Sequence, residues 1–346
     1  GLYAKEIRYA GLFGYITEQV TIKDLILANS YFESTATDAD GSFAGSVAGF
    51  AAGGTIEQIK SNSIVVGRSA AIGGLVGQSR LDKQANKGTV IHNCWFAGTA
   101  KTKGNGYMLG GIMGDMRTGD VTIEHCLVTG SIEHAGNNTE PRIGGILGNI
   151  ISNKNYTLTL KDSLNAAEMK PGKASAYFAS VLGYTGNIKK VVMEDVFASA
   201  ESYGITVIDN NGFVQGSAYT VAKNSLIGDG GFEWTSLDFQ DYWTTVKTGT
   251  PILQNFAEKI ASVAGLKKKY GIEWIDEAKG TEDDPYVITA VYFYDDKIDE
   301  DSQKGLRSAI SSYNNKGKLW KVGKRKERIS ESRHHFWLEA DYHHGR

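Results

Sequence analysis

The fold is decided by the stretch Gly73-Gly74-Leu75-Val76-Gly77 and the segment that follows it, Val90-Ile91-His92-Asn93-Cys94. The first element recurs as Ala10-Gly11-Leu12-Phe13-Gly14, Gly45-Ser46-Val47-Ala48-Gly49, Gly110-Gly111-Ile112-Met113-Gly114, Gly144-Gly145-Ile146-Leu147-Gly148 and Ala179-Ser180-Val181-Leu182-Gly183. Its closing glycines, Gly14, Gly49, Gly77, Gly114, Gly148 and Gly183, are 35, 28, 37, 34 and 35 residues apart. A period of that size belongs to a solenoid or a propeller.

The second element separates the two. It reads Val20-Thr21-Ile22-Lys23-Asp24-Leu25, Ile59-Lys60-Ser61-Asn62, Val121-Thr122-Ile123-Glu124-His125-Cys126, Leu158-Thr159-Leu160-Lys161-Asp162-Ser163 and Val191-Val192-Met193-Glu194-Asp195-Val196. Apolar and polar residues alternate and β-branched residues dominate, the pattern of a half-buried strand. After each charged position comes Asp24, Ser61, Asn93, His125, Asp162 or Asp195. Asp, Asn and His tolerate a left-handed backbone best among residues with a Cβ, so this column predicts a corner, with Ser61 the exception. The next column, Leu25, Asn62, Cys94, Cys126, Ser163 and Val196, predicts a return to the interior. A propeller blade needs more residues and aromatic signatures that are absent. The expectation is an all-β, right-handed parallel β-helix, each repeat giving one and a half to two short coils, with a smaller, irregular or mixed C-terminal region. Cys94 and Cys126 then stack on neighbouring coils as buried free thiols, because parallel stacked side chains rarely reach the disulfide torsion.

The glycine motif followed by such a strand resembles the GLUG repeat of large bacterial surface and secreted proteins, which include adhesin-like proteins and non-catalytic regions of immunoglobulin A proteases. The resemblance runs from residue 8 to about residue 256 and takes in Asp238-Phe239, Trp243 and Gly249-Thr250-Pro251-Ile252-Leu253 as an array's end. It implies a scaffold or adhesin-like binding module, secreted or at the cell surface, with host glycan, host protein or other domains of the parent chain as partner. The glycines and corner residues Asp24, Asn93, His125, Asp162 and Asp195 are structural in that reading. Residues 1–256 form the repeat domain and 257–346 a charged linker and extension. In the latter, residues 273–301 hold eleven acids against two lysines, and residues 316–346 hold nine Lys and Arg against four acids. Val287 to Tyr294 suggests a strand pair, and Ser302 to Ile310 a short helix.

Composition narrows the function classes. The chain has 346 residues, 42 Gly, 4 Pro and 41% hydrophobic residues, enough to bury a sizeable core. A net charge of -2 argues against general nucleic-acid binding, and no apolar run is long enough to span a membrane as a helix. The opening Gly1-Leu2-Tyr3-Ala4 carries no signal-peptide pattern, so one either does not exist or has been removed. No zinc-binding pair of histidines four apart with an adjacent Glu occurs, nor a nucleophile elbow. Asp38-Ala39-Asp40-Gly41 is half of a calcium loop without its closing Glu, and reads as a turn. No cofactor and no metal is expected.

The enzymatic rival is a polysaccharide lyase, which needs a base for the proton beside a uronic carboxylate and a cation for the carboxylate itself. The outward column Lys23, Lys60, His92, Glu124, Lys161 and Glu194 offers both, with His92, Glu124 and Lys161 the candidate catalytic set. The simpler reading is a ladder of compensating charges. Trp234, Tyr242, Trp243 and Trp274 read as a cap on the open end of the solenoid. The insertions Thr35 to Phe43, Ser79 to Gly88 and Gly136 to Arg142 are the candidate recognition loops.

Overall fold

A computed structural model describes residues 1–6, 8–37, 41–69, 71–81, 87–151, 155–173, 177–199, 207–209, 212–226, 235–244 and 250–256, together with four strands further on. The chain divides into two compact units, Gly1–Ala257 and Glu258–Arg346. The first is a β-solenoid of parallel strands stacked coil upon coil. Among the described residues the only helical turns are the 3-10 turns Lys223–Leu226 and Gln254–Phe256.

Each coil visits four sheets in the same order, here called A to D. In one complete coil these strands are Ile64–Gly67 in sheet A, Ala71–Gly73 in B, Val76–Arg80 in C, and Thr89–His92 with Trp95–Phe96 in D. Val76 pairs with Ala48 of the coil before and Met113 of the coil after. Each repeat therefore supplies one coil, not the one and a half to two expected. The strands of this coil are only two to five residues long, and the bends between them absorb the residues that the longer estimate gave to a second coil.

The glycine motif makes the bend from sheet B to sheet C. A Cβ on Gly73 would lie 1.9 Å from the Val76 carbonyl oxygen, which no side chain survives. At Gly77 it would lie 2.5 Å from the Gly49 oxygen and 2.7 Å from the Ala44 nitrogen, both in the preceding coil. Glycine is needed here for backbone packing between coils rather than for an unusual φ.

The corner residues do require one. Asp24, Asn93, His125, Asp162 and Asp195 have φ of 58°, 54°, 49°, 42° and 53°. In the second coil the left-handed residue is Gln58, at φ 54°, not Ser61. The register aligns Lys23 with Glu57 and Leu25 with Ile59, so the charged position there is Glu57 and not Lys60, and the residue after the corner is Ile59 and not Asn62. Lys60 pairs instead with Ile26 and Trp95, in the next outward column.

The core lies inside the coil, where Ile22, Ile56, Ile91, Ile123, Leu160 and Met193 stack in register. Full burial of each is worth about 1.5–3 kcal/mol, which the close stacking of flat strands makes available on every coil. Cys94 and Cys126 are buried in this core as free thiols. Each Sγ donates to backbone carbonyls, Cys94 to His92 at 3.2 Å and Cys126 to Glu124 at 3.2 Å. Burial, with the neighbouring Cys94, pushes the Cys126 thiol well above its ordinary range.

The second unit contains a four-stranded antiparallel sheet in the order Ile272–Trp274, Ala290–Phe293, Phe336–Ala340, Trp320–Lys324. Ala290–Phe293 is one strand paired with two others, rather than one half of a local strand pair. Ser302 to Ile310 lies outside the described residues.

Candidate functional site

The outward column on sheet D is Lys23, Glu57, His92, Glu124, Lys161 and Glu194, each in register with the next. With Glu57 in place of the expected Lys60, basic and acidic side chain types alternate along the whole stack. Glu57 receives His92 Nε2 at 2.7 Å and Lys23 Nζ at 3.8 Å, and Lys161 Nζ meets Glu194 at 3.2 Å. The candidate catalytic residues His92, Glu124 and Lys161 do fall on three consecutive coils. His92 and Lys161, however, have their close partners on the far sides of that triplet. The Glu194 carboxylate raises Lys161, first by hydrogen bonding and then by its charge.

One residue beyond this ladder is the corner column Asn93, His125, Asp162 and Asp195, and three beyond it runs a second outward column. That column, Ile26, Lys60, Trp95, Leu127, Leu164, Phe197 and Tyr219, is largely apolar. The expected inward return occurs at the intervening column, Leu25 to Val196. An apolar stripe on the outside of a solenoid needs its own cover.

The cover is formed by residues 235–244 and 250–256. Leu237, Trp243 and Leu253 are buried against Leu127, Leu164 and Phe197, with Tyr242, Ile252 and Phe256 packed around them. Lys60 Nζ sits 3.7 Å over the Trp95 ring, whose other neighbour is Phe256. A short antiparallel pair, Trp243–Thr244 with Ile252–Leu253, and the Gln254 amide, which donates to the carbonyls of Phe239, Gln240 and Trp243, give the segment internal order. The aromatics expected to close the open end thus lie along the side: Tyr242 and Trp243 clamp the outer face of sheet D. Trp234 lies outside the described residues, and Trp274 belongs to the second unit.

The corner column is what the clamp holds. Trp243 Nε1 donates to Asp162 Oδ2 at 2.6 Å and the Asp238 amide donates to Oδ1 at 2.8 Å. The His125 ring stacks on Tyr242 with centroids 3.5 Å apart, and its Nε2 is 3.7 Å from Asp162. Ser236 bonds Asp195. Burial pushes His125 below its ordinary range against the pull of Asp162 and Glu124, and burial raises Asp162 against its hydrogen bonds from Asp238 and Trp243. Among the described residues, buried Asn93 Oδ1, His125 Nδ1 and the Asn255 amide have no partner. The corner residues therefore carry a second duty that the repeat alone did not announce.

A third polar cluster lies on sheets B and C. Asp115, fully buried, accepts from Gln78 Nε2 at 2.7 Å, Asn149 Nδ2 at 2.5 Å and Arg117 Nε at 2.5 Å. Burial raises its carboxyl even so. Arg142 donates to Asn149 and lies 4.0 Å over the Tyr184 ring. Every oxygen of Asp115 is engaged, so the cluster is a closed structural network.

The three candidate recognition loops do not share a surface. Thr35 to Phe43 and Gly136 to Arg142 join sheet A to sheet B, whereas Ser79 to Gly88 joins C to D. His134 pins the second loop: the Thr102 hydroxyl is 2.7 Å from Nδ1, and Nε2 is 2.8 Å from the Asn138 carbonyl. Residues 38–40, with the half calcium loop, and 82–86 lie outside the described residues. No group of three or more His, Cys, Asp or Glu suited to a metal ion occurs among the described residues, and no described helix is long and apolar enough to cross a membrane.

Glu57 and Gln58 escaped the sequence reading, although Thr55-Ile56-Glu57-Gln58-Ile59 repeats the spacing of Thr122-Ile123-Glu124-His125-Cys126. The signal was present, masked by an Ile-Lys-Ser-Asn run three residues later.

No family model and no curated protein matches the sequence. Among solved structures the chain is similar to a crystal structure of a "putative immunoglobulin A1 protease" from Bacteroides ovatus, at 20% identity and a TM-score of 0.53. The similarity covers 73% of this chain and 74% of that one, and it establishes a shared β-solenoid fold.

Proposed function

We propose that the chain is a non-catalytic binding scaffold of a bacterial surface or secreted protein, whose stacked coils hold ligand-recognising faces at fixed spacing. The observation that carries this reading is the alternating ladder on sheet D, where the would-be base and cation are each engaged by a carboxylate outside the triplet: His92 Nε2 lies 2.7 Å from Glu57 and Lys161 Nζ 3.2 Å from Glu194. The resemblance of the repeat to non-catalytic regions of immunoglobulin A proteases, and the name of the Bacteroides ovatus neighbour, support an accessory role in a protein of that kind. The partner is then host glycan, host protein or another domain of the parent chain.

A second reading, polysaccharide cleavage through His92, Glu124 and Lys161, draws on their placement on consecutive coils. A glycan array run beside an absorbance assay for unsaturated uronate separates the two. Retention of a glycan without product supports the scaffold. Product formation that His92→Ala abolishes overturns it.

A further inference from the structure

The outer face of sheet A is built differently from that of sheet D. One of its columns places Tyr3, Tyr31 and Ile64 on successive coils, with the two tyrosine rings 5.2 Å apart and within 10° of parallel. Tyr3 is 72% exposed and Ile64 45%, so the column presents ring and aliphatic surface to solvent. Two residues along the strands, about 7 Å away on the same face, lies Glu33, whose side chain is only 4% exposed.

Glu33 is the hub of a cluster. Its Oε1 receives Arg68 Nε at 3.2 Å and faces Lys103 Nζ at 3.9 Å, while its Oε2 faces Lys5 Nζ at 3.8 Å and accepts from the Tyr31 hydroxyl at 2.9 Å. Although burial opposes it, the Tyr31 hydrogen bond and the charges of Lys103 and Lys5 hold the carboxyl below its ordinary range. Burial, then Glu33, push the Tyr31 phenol up to about 12. Three cations share one carboxylate, leaving two positive charges in excess, and the cation side chains remain 42–48% exposed. Of the other acidic residues of the sheet, Glu133 has cations of its own in Lys101 and Lys170, Glu168 is paired with Lys170, and Glu6 stands in the neighbouring column, in register with Ser34. The buried carboxylate thus fixes three charged heads beside an open aromatic column without cancelling them.

We propose that this face binds an acidic saccharide, with a sugar ring lying on Tyr3 and Ile64 and its carboxylate or sulfate held by Lys5, Arg68 and Lys103. The C–H face of a pyranose matches the tyrosine ring, and an anion matches preorganised cations whose fields add. The 7 Å between the two columns suits a ring and its exocyclic acid group. This inference rests on the scaffold reading and supplies its ligand class.

The test is calorimetric titration of the whole chain with oligogalacturonate, a chondroitin sulfate oligosaccharide and a neutral maltooligosaccharide at two salt concentrations. At least one acidic probe binds, more weakly at high salt, and the neutral one does not; which acidic probe wins tells carboxylate from sulfate. Tyr3→Ala weakens binding up to about tenfold and leaves the salt dependence unchanged. Lys103→Gln and Arg68→Gln weaken it by up to about fivefold each and flatten that dependence. Tyr3 is exposed and Arg68 and Lys103 are half-exposed, and unchanged circular dichroism confirms the fold of each variant. Equal binding of the neutral probe, absence of binding by both acidic probes, or acidic binding indifferent to all three substitutions overturns the proposal. In the last case, or if an array reveals another glycan, the scaffold reading stands without it; cleavage of the oligogalacturonate removes both.

Discussion

Sheet D carries a covered apolar column on each of its faces, yet the two columns are built by different logics. On the inner face, Ile56, Ile91, Ile123 and Leu160 repeat at the period of the coil and bury one another. On the outer face, Trp95, Leu127, Leu164 and Phe197 repeat just as regularly but are covered by a segment that repeats nothing, anchored on Asp162 and His125. The difference teaches that a periodic column shows where a side chain stacks, not what covers it. Loss on the inner face is felt by neighbouring coils, whereas loss on the outer face can be confined to the clamp.

The comparison breaks most sharply at Trp243. Trp243→Ala removes the largest fully buried side chain among the described residues and a partner of Asp162. It is expected to cost about 3–5 kcal/mol, seen as lost hydrogen-exchange protection in 236–244 and 252–254 while the strands of sheets B and C keep theirs. Ile123→Ala, on the inner face, costs about 2–5 kcal/mol and should lower the denaturant midpoint of the solenoid as a whole; protection lost only in the clamp would contradict the assignment of the two faces. Asp162→Ala leaves two donors of the clamp unmatched and costs about 1–3 kcal/mol, again local by exchange.

Acid sharpens the contrast further. Burial holds His125 below its ordinary value of 6.5, so its contribution is present above that value and is lost as pH falls below it, because the unfolded chain takes up the proton first. Asp162, raised by burial, acts with the opposite sign: its contribution is present at low pH and is lost as pH rises through its folded value. Clamp protection should therefore decline from pH 7 towards pH 6 in the parent chain and lose that decline in His125→Gln, while inner-face strands show no matching change. The smallest effect belongs to the ladder. Glu57→Gln weakens the partners of Lys23 and His92, all partly exposed, and should cost no more than about 1 kcal/mol; a larger loss would give the ladder a role beyond solvated charge compensation.

These contrasts also mark how far the amino-acid order can be read. The inner columns and five of the six corner residues were legible because interior apolarity and left-handed φ each favour few residue types. Gln58 was not, since Gln is an ordinary residue at an unusual φ and the Ile59-Lys60-Ser61-Asn62 run imitated the pattern. The coil count failed because two-residue strands such as Trp95–Phe96 are too short to show a period. The lateral clamp was invisible because its contacts with Asp162 span 76 and 81 residues, and nothing local to Trp243 distinguishes a side cover from an end cap. At the candidate site the placement of His92, Glu124 and Lys161 on successive coils was legible, but Glu57 as the partner of His92 and the gathering of Lys5, Arg68 and Lys103 on Glu33 required the register.

The clamp climbs the stack against the direction in which the stack was laid down: Ser236 meets Asp195, Trp243 meets Asp162, Tyr242 meets His125 and Phe256 meets Trp95. In an untethered solenoid each coil is secured only by the one beside it, and fraying from an end proceeds one layer at a time. A strap across four layers turns that sequence of small losses into a single larger one, so the final coils hold or peel away together.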